Sequence, residues 1–153
     1  MPKYYIYPIF TLIFALTLFV NVPRKDIHRL SIYGIIFGAM MDALVHFFGY
    51  VTGLFSWINY GPFGIIGAHI LANVTWANFF ILYFYFIPHR KPLNYVFAVS
   101  GIFFSILYYN MVIDLGILKS TSRVWLPLFG FVVWFSIATW GYYRLNEFIE
   151  SKH

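Results

Sequence analysis

The sequence predicts an all-α protein of five membrane-crossing helices, and three observations carry that expectation. Hydrophobic residues make up 61% of the 153 positions and aromatic residues 24%, while only 10% are charged, against roughly 25% in a soluble domain. Five apolar runs reach the roughly 20 residues that a helix needs to cross a hydrocarbon core about 30 Å thick. Every Lys and Arg falls outside those runs, in short connections or at the termini. So little charge cannot wrap a water-soluble core of this size, because small domains keep much of their surface in water. One domain over 1–153 is expected.

The first run, about 4–22, is read as a retained span. Its positive leader is weak, its apolar stretch is long, and no small-x-small cleavage site follows. The second, about 30–52, comes after the basic turn "NVPRKDIHR", and the third, about 64–87, after "GLFSWINYGPFG". The fourth, about 93–117, is set off by "PHRKP", and the fifth, about 124–143, by "LKSTSR". Pro23, Pro62, Pro88 and Pro92 stand at helix ends, where the missing N–H does little harm. Trp57, Tyr60, Trp125, Tyr142 and Tyr143 near the ends fit an interfacial aromatic belt. The tail "RLNEFIESKH" is expected to prolong the last helix into the cytoplasm.

Counting Lys and Arg sets the orientation. Arg24, Lys25, Arg29, Arg90, Lys91, Arg144 and Lys152 lie on one side, and Lys3, Lys119 and Arg123 on the other. The positive-inside rule places the N-terminus outside and the C-terminus in the cytoplasm. The formal net charge of +5 therefore reads as topology. Clusters between apolar runs do not form the basic face that nucleic acid requires. The absence of cysteine rules out disulfides, thiolate metal sites and thiol catalysis.

A faint internal echo links the second and fourth spans. "GIIFG" at 34–38 and "GIFFS" at 101–105 each precede two polar residues four apart, Asp42 and His46 or Asn110 and Asp114, and then a glycine, Gly49 or Gly116. The third and fifth spans share a Thr-Trp pair, Thr75–Trp76 and Thr139–Trp140. A duplicated two-helix unit would account for both, and chance likeness between apolar helices is the plainer account.

The chemistry-bearing residues are few. An ionisable group near the bilayer midplane costs about 2.5–3.5 kcal/mol on insertion scales, so it is expected to face protein or water and to have a partner. Asp42 and His46 share a helix face with Gly38 and Gly49, a small and polar stripe suited to close packing. At 1.5 Å per residue, His46 stands roughly 24 Å from the start of its span, with His69 at about the same level from the other side. Asp42 and Asn73 form a second level, and Asn110 and Asp114 stand near the histidines. The expectation is one cluster of Asp42, His46, His69, Asn73, Asn110 and Asp114 in the outer half of the membrane.

Such a cluster admits several chemistries. Two imidazoles and two carboxylates (His46, His69, Asp42, Asp114) suit a divalent metal, although no HExxH spacing is present. His46 and His69, level on different helices, suit axial ligation of a b-type haem. An Asp-His pair can relay protons or bind a cation in a carrier or channel. The plainer reading is a hydrogen-bonded network that fixes helix register. No cofactor is predicted on balance. His28 and His89 belong to the basic turns, and the sequon Asn73-Val-Thr75 lies inside a span, out of reach of glycosylation. No Ser-His-Asp order, phosphate loop or paired-carboxylate motif supports an enzyme. The 19 Phe, 13 Tyr and 5 Trp serve lipid contact and packing, and suit a cavity for a flat apolar ligand such as a quinone, porphyrin or lipid.

Five spans, the basic turn "PRKDIHR", "YFYFIP" closing the third span and the acidic residue in "NMVIDLG" together resemble the small five-span integral membrane proteins of spore-forming bacteria. The likeness covers about 20–143 and implies topology alone. "ANVTWANFF" is also similar to part of the third span of the tryptophan-rich sensory or translocator proteins, but their long Trp-Pro-rich first connection is replaced here by "NVPRKDIHR". The expected function is a non-enzymatic membrane component whose polar cluster organises helices or binds a small ligand. Its expected partners are the lipid bilayer and either further copies of the chain or another membrane subunit.

Overall fold

The computed structural model describes residues 3–65 and 68–151. It is all-α, with five helices that run back and forth between two ends. They are α1 (Ile6–Asn21), α2 (Arg24–Thr52), α3 (Ile70–Phe86), α4 (Leu93–Asp114) and α5 (Trp125–Ser151). Helices α2, α4 and α5 are long and apolar enough to cross a membrane, and α1 and α3 are shorter apolar helices of 16 and 17 residues. One end gathers Arg24, Lys25, Arg29, Arg90, Lys91 and Arg144 and is called the basic end below. The other carries four short strands and is called the strand end.

Several bounds differ from the sequence expectation. Helix α2 starts six residues early, at Arg24 behind Pro23, so the basic turn is helical and Asp26 sits in the favourable first turn. Helix α3 starts six residues late, at Ile70. Ahead of it, β2 (Gly64–Ile65) pairs with β3 (Ala68–His69), with Gly64 opposite His69. Gly61, Pro62 and Gly64 disfavour helix there, and residues 66–67 of the expected span lie outside the described residues. Helix α4 stops at Asp114, three residues short of the expectation. Helix α5 continues through most of the tail, with Lys152 and His153 outside the described residues.

Helix α2 ends in Gly53, whose φ of +75° is the left-handed conformation that glycine adopts without a Cβ penalty. This reversal sends β1 (Phe55–Trp57) back toward the bundle. There it pairs antiparallel with β4 (Leu118–Ser120), Trp57 facing Leu118 in register. Asn59 Nδ2 donates to the Gly116 carbonyl at 2.7 Å and joins the two connections.

Helix α3 runs through the middle, packed on α1 and α2, while α4 packs on α5. The α2–α3 contact is close because Gly38 lies against the backbone of Trp76, where a Cβ would stand 2.5 Å from its carbonyl oxygen. The same part of α2 widens into a π-helical turn over Ile35–Met40. Such a turn loosens the regular bonding of its carbonyls. The Phe37 carbonyl is taken up at 2.6 Å by the indole N–H of Trp134 on α5. Hydroxyl pairs add polar ties, Thr11 with Thr75 between α1 and α3 and Tyr83 with Thr139 between α3 and α5, each at 2.8 Å.

Aromatic rings fill the rest of the core. Trp76 and Trp134 meet at 4.7 Å between centroids, and Phe84 stacks on Tyr142 at 4.5 Å. Outward faces stay apolar: Leu16, Phe19 and Val20 on α1 and Val99, Phe103 and Leu107 on α4 are all more than half exposed. Surfaces of that extent belong against lipid or another protein.

Candidate functional site: a buried polar cluster beside an aromatic cavity

The second half of α2 brings Asp42 and His46 to its inner face, one turn apart, 1% and 6% exposed. Asp42 Oδ1 lies 2.9 Å from His46 Nε2. That same nitrogen accepts the indole N–H of Trp57 at 3.1 Å. Gly49 permits the approach, because β1 folds back with the Phe55 ring where a Cβ at that position would stand. One ring nitrogen is thus claimed from two sides. While Nε2 accepts from Trp57, its lone pair is committed and it has no hydrogen to give Asp42. The Asp42–His46 approach is therefore an ion-pair distance without an aligned hydrogen bond, and both carboxylate oxygens and His46 Nδ1 have no hydrogen-bond partner among the described residues.

Tyr7 and Tyr108 extend the cluster onto α1 and α4. Their hydroxyls are the other buried side-chain polar atoms without a partner among the described residues. Tyr7 packs on Trp57 at 5.0 Å and on His69 at 4.5 Å. Polar atoms with open valences, gathered in one low-dielectric place, are costly to the fold, and each calls for a specific account.

The six residues singled out from the sequence meet different fates. His69 is buried at the start of α3, where its Nδ1 accepts the Leu71 N–H at 3.2 Å, and it reaches the cluster through Trp57, ring to ring at 5.7 Å. Asn73 is half-buried on α3 and makes no hydrogen bond to Asp42 or His46 among the described residues. Asn110 and Asp114 do not join. Asn110 Nδ2 donates to the carbonyls of Ile106 and Arg123 at 3.0 and 2.8 Å, and Asp114 pairs with Arg123 at 2.7 Å with 66% of its side chain exposed. Both brace the α4–α5 connection.

This placement bears on the metal and haem expectations. Among the described residues no three of His, Asp and Glu converge to hold a metal ion. The expected set fails at Asp114, which stands at the α4–α5 connection. His46 and His69 both pack on the Trp57 indole, but only His46 lines the neighbouring cavity. A haem between two axial imidazoles needs both to face one space.

That cavity has a volume of ≈ 480 Å³ and lies among α2, α4 and α5, with β1 and Trp76 in its wall. Among the described residues no Asp, Glu, Lys or Arg lines it, and aromatic rings dominate. Sequence reasoning anticipated aromatic packing but missed Tyr7, Trp57 and Tyr108 as site residues. Trp57 and Tyr142, expected in an interfacial belt, are 3% and 2% exposed. The one signal for Trp57 was the Gly53 reversal, which returns a residue eleven positions after His46 to the same level. No family model, curated protein or solved structure matches the chain.

Proposed function

We propose a five-pass membrane protein, N-terminus outside and C-terminus cytoplasmic, in which the Asp42–His46–Trp57 chain orders the helices around a cavity that binds a small apolar ligand. The observation that carries this reading is the coincidence of the cluster with the cavity. His46 and Trp57 belong to both, and a cavity of this volume, mostly apolar with few polar groups, has the character of a small-molecule site. Nothing in the cluster resembles the nucleophile, base and oxyanion donors of a catalytic site, so binding without chemistry is the simpler role. Orientation rests on the sequence count, seven Lys and Arg in the first and third connections and the tail against three in the N-terminus and the fourth connection.

The cysteine-free chain makes topology easy to read. A single cysteine at Thr121 should react with a membrane-impermeant maleimide in intact cells, and one at His89 only after permeabilisation. The reverse pattern would invert the orientation. For the cavity, 2-methylnaphthalene should bind saturably to protein in nanodiscs, beyond its partition into empty discs. Gly130→Leu should weaken that binding about tenfold by filling the cavity, since Gly130 lines it and a Cβ there has no atom within 4 Å. Equal, unsaturable uptake by both proteins would leave only the helix-ordering role.

A second reading, a proton- or cation-coupled carrier, draws on the two unpartnered oxygens of Asp42. Asp42→Asn should then abolish pH-dependent flux in proteoliposomes, and unchanged flux would remove the carrier.

A further inference from the structure

We infer that the cavity takes an uncharged, flat, ring-bearing molecule of the quinone or aryl-ketone class, and that Trp76 Nε1 donates a hydrogen bond to its carbonyl oxygen. The inference rests on the binding reading of the cavity and adds the chemical class.

Three indoles stand in the cavity wall, and their N–H groups are not equivalent. Trp57 donates to His46 and Trp134 to the Phe37 carbonyl. Trp76 has no acceptor among the described residues, yet its nitrogen is not one of the fully enclosed polar atoms that lack a partner. An indole nitrogen is a donor only. The group that completes it must bring an acceptor, and a carbonyl oxygen meets that need without bringing charge.

The walls supply the remaining constraints. With no Asp, Glu, Lys or Arg among the described residues of the lining, a charged ligand would lose its hydration with little compensation. Trp76, Trp134 and Phe131 cluster with centroids 4.7 to 5.9 Å apart, and aromatic surfaces favour a planar guest in offset or edge-on contact. Leu44, Phe48, Phe129 and Val133 line the cavity and are also more than half exposed on the outside of α2 and α5. The cavity therefore opens sideways between those helices, on the flank that faces lipid in the proposed topology, and the ligand arrives dissolved in the bilayer.

The test uses two molecules with the same rings, 2-methyl-1,4-naphthoquinone and 2-methylnaphthalene, and the full chain in nanodiscs with partition into empty discs subtracted. The quinone is expected to bind about five-fold more tightly than the hydrocarbon, the scale of one net hydrogen bond. Trp76→Phe should erase that preference while leaving hydrocarbon binding in place. The wild-type comparison keeps the test valid should the substitution lower stability. Equal affinity for the two molecules, or a preference that survives Trp76→Phe, overturns the inference. If Gly130→Leu still weakens binding of both molecules, the apolar cavity stands without the proposed class. If it weakens neither, the cavity reading falls with it.

Discussion

Helices α2 and α4 carry the same local pattern, two polar residues one turn apart followed by a glycine, and fold it in opposite ways. On α2 the pair is sealed from solvent, and Asp42 and Trp57 compete over one nitrogen of His46. On α4 the pair is spent at the helix end, where Asn110 and Asp114 hold Arg123 by its backbone carbonyl and its guanidinium. The opening segments diverge as well, "GIIFG" falling largely in the π-helical turn and "GIFFS" in regular α-helix. The difference lies in the neighbours. Gly38 lets α2 press on the α3 backbone and Gly49 admits β1, so the polar face between them is covered. At the end of α4 the polar side chains instead pair with Arg123 across the connection. Local likeness between helices is thus a poor guide to role when the packing partners differ.

Four substitutions, measured by unfolding in detergent micelles, would break or sharpen the contrast. Gly38→Leu should cost the most, about 3 kcal/mol, because its Cβ meets backbone that cannot move aside. A mild effect would show that the α2–α3 approach is not what buries the pair. His46→Ala should come next at about 2 kcal/mol, since it strands the Trp57 indole donor and leaves Asp42 without its nearest polar neighbour. Asn110→Ala removes two bonds to carbonyls on the half-buried side of α4, and about 1 kcal/mol is expected. Asp114→Asn should change stability by no more than about 0.5 kcal/mol, as exposed ion pairs are screened by water. Should Asp114→Asn prove as damaging as His46→Ala, the two helices would be equivalent after all.

Much of this could be read from composition and spacing. The apolar runs, the basic connections and the shared face of Asp42 and His46 follow from helix period and from the cost of charge in an apolar medium. Helical depth put His46 and His69 at one level, and both now touch Trp57. The same arithmetic failed for Asn110 and Asp114, because depth along a helix does not tell which way a side chain faces or whether a connection offers a closer partner. Arg123, nine residues after Asp114, was that partner. The late start of α3 escaped for a related reason. The stretch 64–69 is apolar enough to extend a span, yet Gly64–Ile65 and Ala68–His69 take extended backbone instead.

The sequence by itself determined the helical, lipid-compatible character of the chain, because backbone groups without water must bond within each segment and side chains beside oil must be apolar. Only the tertiary structure decided that Trp57 would close over His46, that Trp76 would find no acceptor among the described residues, and that a cavity would open beside them. Those outcomes depend on helix rotation and on two chain reversals, and no periodic pattern encodes which faces meet.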